Sequence, residues 1–175
     1  MEPDSTTTSV YVLPRQMPAG LWHRLVRALV SKESWFGLVW RDQLEWSQRA
    51  RGVRELLQPL AVDQRRADRW PGTRLSDSQA TVIVYRTSPR VLPLLLSTDS
   101  PFDWLSPDLP EDLFFGSGDS ELALVTVTHE RDGWLLKRRY AQLLGSEATL
   151  RKERLSSRDR LLLLGSFVPP KDTGR

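Results

Sequence analysis

The stretch EDLFFGSGDSELALVTVT, residues 111–128, decides the fold. Leu113, Phe114 and Phe115 run into the Gly116-Ser-Gly-Asp119 turn, and an apolar, β-branched run from Leu122 to Thr128 follows it. Two such runs joined by a glycine-containing turn predict a hairpin formed by Asp112–Phe115 and Leu122–Thr128. Upstream, Phe36, Leu38 and Trp40 alternate with Trp35, Gly37, Val39 and Arg41, the period of a strand. Arg41-Asp42-Gln43 offers a turn into a short second strand ending at Trp46, and Ala80–Thr87 is a further strand.

Helical signals lie between and beyond these strands. From Pro18 to about Lys32, Trp22, Leu25, Val26, Leu29 and Val30 recur on one face, with His23, Arg24 and Arg27 off it. Ser47 is placed to cap a second helix carrying Ala50, Val53, Leu57 and Leu60. Residues 62–79 are polar and centre on Trp70-Pro-Gly-Thr73, a type II turn signal. Ser88-Pro89 starts a short helix through Leu96, and 97–118 reads as a folded loop because its aromatic residues require burial. Trp134–Leu144 reads as an amphipathic helix stopped by Gly145, followed by a charged helix through Leu155 and a final strand at Arg160–Val168. The resulting expectation is an α+β fold, a single mainly antiparallel sheet covered on one face by several helices. It spans 17–168 as one domain, between a mobile arm at 1–16, in which Val10–Leu13 offers a short strand, and a disordered tail at 169–175.

Composition narrows the chemistry. The chain has 175 residues, enough for one domain with a real core, and no cysteine, which excludes disulfide scaffolds, thiolate metal sites and a catalytic thiol. With His23 and His129 alone, no multi-histidine metal centre can be built, and no cofactor is implied. No apolar run approaches the roughly 20 residues that span a bilayer. The polar Met1–Ser9 segment lacks the layout of a signal peptide, so the expected compartment is the cytoplasm. A strong excess of arginine over lysine, with no asparagine, suggests GC-rich bacterial coding.

Charge is segregated along the chain. The net +3 averages +2 over residues 1–60, +3 over 61–98, −8 over 99–132 and +6 over 133–175. An acidic surface of that density steers a basic partner toward it. The competing expectation is that the acidic stretch packs against the basic C-terminal one and the two neutralise each other.

Candidate chemistry follows from those blocks. His129-Glu130 at a strand end is a base with a neighbouring carboxylate, but Gly133 stands where a zinc-protease helix needs its second histidine. Glu111 and Asp112 could meet Glu130 and Asp132 around a divalent cation, although acids near a helix start are also favoured by its dipole. Lys137-Arg138-Arg139, Arg151, Lys152, Arg154, Arg158 and Arg160 suit phosphate contacts, with Tyr140 as the one interleaved aromatic. Trp22, Trp35, Trp40 and Trp134 read as core, whereas Trp104, between Asp103 and Asp108, reads as an interface anchor, with Trp70 second.

Asp108-Leu-Pro-Glu-Asp-Leu-Phe-Phe115, Ala123–Trp134 and Trp70-Pro-Gly-Thr-Arg74 together resemble small bacterial proteins of the toxin-immunity type, over about a quarter of the chain. The resemblance implies a cytosolic protein-binding role and brings no catalytic motif with it. The leading expectation is therefore a non-enzymatic inhibitor that meets a basic protein, such as a toxin domain, through Asp103, Trp104, Asp108, Glu111, Asp112, Asp119, Glu130 and Asp132. One alternative is nucleic-acid binding through Arg138, Arg139, Arg151 and Arg154. Another is a small enzyme using His129 and Glu130.

Overall fold

The fold follows from where each apolar stripe finds cover. The computed structural model describes residues 9–118 and 121–164. Its elements are β1 (Ser9–Val12), α1 (Ala19–Lys32), β2 (Trp35–Trp40), α2 (Gln48–Leu57), β3 (Ala61–Ala67), β4 (Arg69–Trp70) and β5 (Thr73–Arg74). There follow β6 (Ala80–Arg86), α3 (Leu92–Leu95), β7 (Glu111–Ser117), β8 (Glu121–Val127), β9 (Asp132–Leu135), α4 (Arg138–Leu144), β10 (Arg151–Arg154) and α5 (Ser157–Leu164). Short 3-10 turns, including Pro101–Asp103, fill several connections. The fold is α+β, built on one large antiparallel sheet.

Eight strands run in the order β10-β1-β9-β8-β7-β2-β6-β3, and β4 and β5 form a separate two-stranded ribbon. The expected hairpin is β7–β8, with Phe114 opposite Val125 and Phe115 opposite Leu124. β2 sits between β6 and β7, and Phe36 lies opposite both Tyr85 and Phe115. The three rings stack, with centroids 5.2 and 5.6 Å from that of Phe36. Cross-strand aromatic pairs of this kind add to the energy of area burial.

Every residue of β2 is buried because both faces of the sheet are covered, not one as the sequence suggests. Phe36, Leu38 and Trp40 join α1, α2 and α4 in the larger core. Trp35 and Val39 join Val82, Val84, Phe114 and Val125 in a second core, closed by Trp70 of β4 and Leu163 of α5. Gly37 lies opposite Phe114, and a Cβ there would fall 2.0 Å from the Phe114 ring. Only glycine lets that ring cross the strand.

Helices α1 and α2 match their predicted stripes. Ser47 Oγ accepts the Ala50 amide at 3.3 Å, as an N-cap does. The short strand offered by Val10–Leu13 is present as β1, held between β9 and β10, with Val10 fully buried, so the chain is fixed in the sheet from Ser9 onward. Other expectations fail. No strand ends at Trp46. The polar stretch after Leu60 contains the edge strand β3. Trp134 and Leu135 belong to strand β9, the expected charged helix is replaced by β10, and 157–164 is helical instead of extended. Residues 165–168 of that expected strand, the tail and residues 1–8 of the arm lie outside the described residues. No helix among the described residues is long and apolar enough to cross a membrane.

Candidate functional site: the polar cluster at the head of β7 and the acidic loop

The site begins with an irregularity in β7. Gly37 pairs with Phe114 but Val39 with Glu111, so β7 carries an extra residue there, and Asp112 takes φ 51°. A non-glycine residue in this region costs about 1–2 kcal/mol, least for Asp and Asn. Here it is held from both sides. The Asp112 amide donates to Thr128 Oγ1 at 3.1 Å, and the Thr128 amide donates to Asp112 Oδ1 at 2.8 Å. The bulge turns two consecutive carboxylates into the protein, and both Glu111 and Asp112 are buried.

Glu111 is held by cations and a hydroxyl. Arg41 Nε donates to Oε2 at 2.9 Å, Ser106 Oγ donates to Oε1, and His129 Nε2 lies 3.0 Å from the same Oε1. Burial alone would push the carboxyl up, but Ser106, Arg41 and His129 together hold it below the ordinary range. An ionised carboxylate only accepts, so Nε2 of His129 carries the hydrogen. The ring itself is 57% exposed. This is the carboxylate-oriented imidazole that base chemistry uses, but the orienting group is Glu111 and not the neighbouring Glu130.

Asp112 has a different environment. Its Oδ2 accepts from Trp70 Nε1 at 2.8 Å and from Thr73 Oγ1 at 3.4 Å. Burial pushes this carboxyl up, against the donors from Thr128 and Trp70, and the charge of Glu111 adds to the rise. The Arg41 guanidinium lies 5.2 Å from the Trp70 ring centroid, so one arginine links the two carboxylates' surroundings. Arg41, Ser106, Trp70 and Thr128 were not identified from sequence as members of this site. The two acids do not converge with Glu130 and Asp132 on a cation. No group of three or more His, Cys, Asp or Glu among the described residues is arranged to hold a metal ion.

Trp104 is also interior. Its Nε1 and that of Trp22 both donate to Thr98 Oγ1, at 3.1 and 3.2 Å, and Thr98 Oγ1 donates to the Leu95 carbonyl at 3.1 Å. The hydroxyl thereby uses all its hydrogen-bonding capacity, and His23 Nε2 meets the Thr98 carbonyl at 2.9 Å. The loop after α3 is pinned to α1 by these bonds. Trp104, Glu111 and Asp112 therefore offer no surface to a partner. They hold the acidic loop from inside.

What remains outside is acidic. Asp99, Asp103, Asp108 and Glu130 are exposed, and so is the apolar Leu105 at 40%. Asp103 accepts the Asp99 amide at 3.0 Å, which draws those two together. The Arg131 guanidinium lies 5.5 Å from the Phe102 ring, which sets the β8–β9 turn and Glu130 beside the same loop. Asp132 is half-buried and pairs with Arg15 at 3.2 Å. Asp119 lies outside the described residues.

Two cations of the basic C-terminal stretch are engaged away from this loop, Lys137 and Arg139. Lys137 Nζ lies 2.7 Å from Glu33, and Arg139 and Tyr140 also bond that buried carboxylate. Burial would raise Glu33, but Lys137, Ser117, Tyr140 and Arg139 outweigh it and hold the carboxyl low. Lys137 and Arg139 are thus already engaged, which weakens the expected phosphate-binding face. Among the described acids of the 99–132 block, Glu121 forms an ion pair with that stretch, 3.5 Å from Lys137.

No family model, curated protein or solved structure matches this chain.

Proposed function

We propose that this chain is a protein-binding protein whose acid-rich end captures a basic partner, as the immunity-type proteins that its sequence resembles would do. The carrying observation is that Asp99, Asp103, Asp108 and Glu130 stay exposed around Leu105, while Lys137 and Arg139 of the basic C-terminal stretch pair with Glu33. Carboxylates spaced over a rigid loop guide a cationic surface into place, and an apolar residue among them supplies buried contact once docked. The rigidity comes from the interior groups. Thr98 anchors the loop's first half, and Glu111 grips Ser106 in its second. In this reading His129 is a clamp on Glu111, and the cytoplasm is the compartment, in keeping with the cysteine-free composition.

The test compares the wild-type chain with a variant carrying Asp99→Lys, Asp103→Lys, Asp108→Lys and Glu130→Lys, each immobilised and exposed to host lysate at low salt. The wild-type chain is expected to retain a basic protein that salt releases, and to bind it at least about tenfold faster than the variant does. Identical retention by both chains, or a wild-type partner that is acidic, sinks the reading. A His129→Ala chain is expected to keep the partner, whereas loss of binding with the fold intact would move the site to the imidazole.

A further inference from the structure

A second feature lies away from the acidic loop, in the cleft between the β4–β5 ribbon and α5. The cleft encloses about 510 Å³. That is within the roughly 300–1,000 Å³ typical of small-molecule sites. Arg69, Arg74 and Arg158 surround it, and Trp70, Leu161 and Leu162 supply its apolar wall. Leu161 is 70% exposed, an unusual degree of exposure for a leucine on a cleft wall.

The ribbon is fixed before any ligand arrives. Trp70 is buried and donates to Asp112, and Gly72 takes φ 84°, the second central position of a type II turn. The Gly72 amide donates to the Leu162 carbonyl at 3.1 Å, which ties the ribbon to α5. α5 has its own clasp, since Ser156 Oγ accepts the Asp159 amide at 3.1 Å and donates to the Asp159 carboxylate at 2.6 Å.

The charges in the cleft are unequal. Asp159, its one carboxylate, is engaged by Ser156, and Arg69 lies 3.5 Å from Asp68. Arg74 and Arg158 have no acidic partner within 4 Å among the described residues. Two guanidiniums without an acidic partner line the same cleft, so an anion is the ligand whose charge that lining favours. A phosphate monoester carries about −1.5 to −2 at neutral pH and three acceptor oxygens, a closer match than the single charge of a carboxylate. Guanidinium forks suit phosphate oxygens, and Leu161 and Leu162 suit an apolar body attached to them.

We infer that this cleft binds a small organic phosphate, with the phosphate between Arg74 and Arg158 and the apolar body against Leu161, Leu162 and the edge of Trp70. Phenyl phosphate is the probe, read by titration calorimetry and by the change in tryptophan fluorescence on the full chain. Saturable binding is expected. Arg74→Gln and Arg158→Gln should each weaken it by at least about tenfold, the loss of one charged hydrogen-bonding partner. Both substitutions are on exposed side chains, and far-ultraviolet circular dichroism verifies that the fold is retained. Phenol and inorganic phosphate alone are expected to bind more weakly than the ester. The inference is overturned by absence of saturation, by undiminished binding in both variants, or by inorganic phosphate binding as tightly as the ester.

Discussion

At the scale of single residues, the interior hydroxyl of Thr98 carries more than its size suggests. Two indole N–H groups converge on it, and Thr98→Val leaves both buried without an acceptor. The expected cost is about 3 kcal/mol, read as a lower urea midpoint, whereas Thr98→Ser should stay close to wild type. Equal loss in both variants would mean that the methyl group and not the hydroxyl holds the loop. Glu33 is a second such residue. Its folded value lies below the ordinary 4.5, so its contribution is present above pH 4.5 and is lost as pH falls through the folded value. Glu111 behaves in the same direction. Asp112, raised above 3.8, has the opposite sign: its contribution is complete at low pH and declines as pH climbs from 3.8 through the folded value. Urea midpoints taken across the acid range should therefore fall less steeply in Glu33→Gln than in wild type. At neutral pH that variant should be destabilised by about 3 kcal/mol, the low end for a broken buried pair because half-exposed Arg139 regains water. An unchanged acid slope would show that Glu33 is not the group titrating.

At the scale of elements, Gly37 gives the most direct prediction. Gly37→Ala forces the Phe114 ring to move and should cost about 1–3 kcal/mol, measured as a loss of thermal stability. A neutral result would mean that β2 can slide away from β7. The elements that were legible in sequence share one property, a single strong period. α1 and α2 show the helical stripe, and β2, β6 and the β7–β8 hairpin show dense apolar runs. β3 was not legible because, as an edge strand, it alternates between half-buried and exposed residues that are mostly polar. Charged residues at a sheet edge deter pairing with other chains, which makes such a strand look like a loop. β9 was hidden by its neighbour, since Trp134 and Leu135 continue the apolar spacing of α4. β10, Arg-Lys-Glu-Arg, has no apolar residue at all and exists through its pairing with β1.

The site was legible in part. The acidic loop was visible from its charge, but the order of burial inside it was not. Trp104 reads as an anchor from its acidic neighbours, yet adjacent residues do not share an environment, and Leu105 is the exposed one. Glu33 carries a signal of its own in the sequence: it caps the C-terminus of α1, where the helix dipole disfavours a carboxylate. An acid in that place implies nearby cations, and Lys137 and Arg139 supply them from a hundred residues further along.

At the scale of the whole molecule, the sheet has two unequal covers. Four helices, α1 to α4, and the loop after α3 seal one face, whereas the other relies on a two-stranded ribbon and the eight residues of α5. Leu163 is the residue of α5 that enters the second core. Leu163→Asp should detach that cover locally, because a carboxylate cannot remain there without a partner. Hydrogen exchange at the Gly72 amide, bonded to Leu162, is expected to quicken while β2 amides stay slow. Uniform acceleration would show instead that both covers unfold together.

The position of β1 has a consequence during synthesis. Ser9 pairs with Arg154, and Tyr11 with Leu135, so β1 is bonded to two strands made more than a hundred residues after it. At about 5–20 residues per second, β1 waits roughly 7–30 s on the ribosome before β10 has been made. Through that interval Val10, which ends in the core, has no sheet to enter. The strand that joins β9 to β10 can be inserted only once almost the whole described chain has emerged. This sheet cannot close until β10 has been made, and the interval before that is the stage at which a chaperone or a premature stop would have its greatest effect.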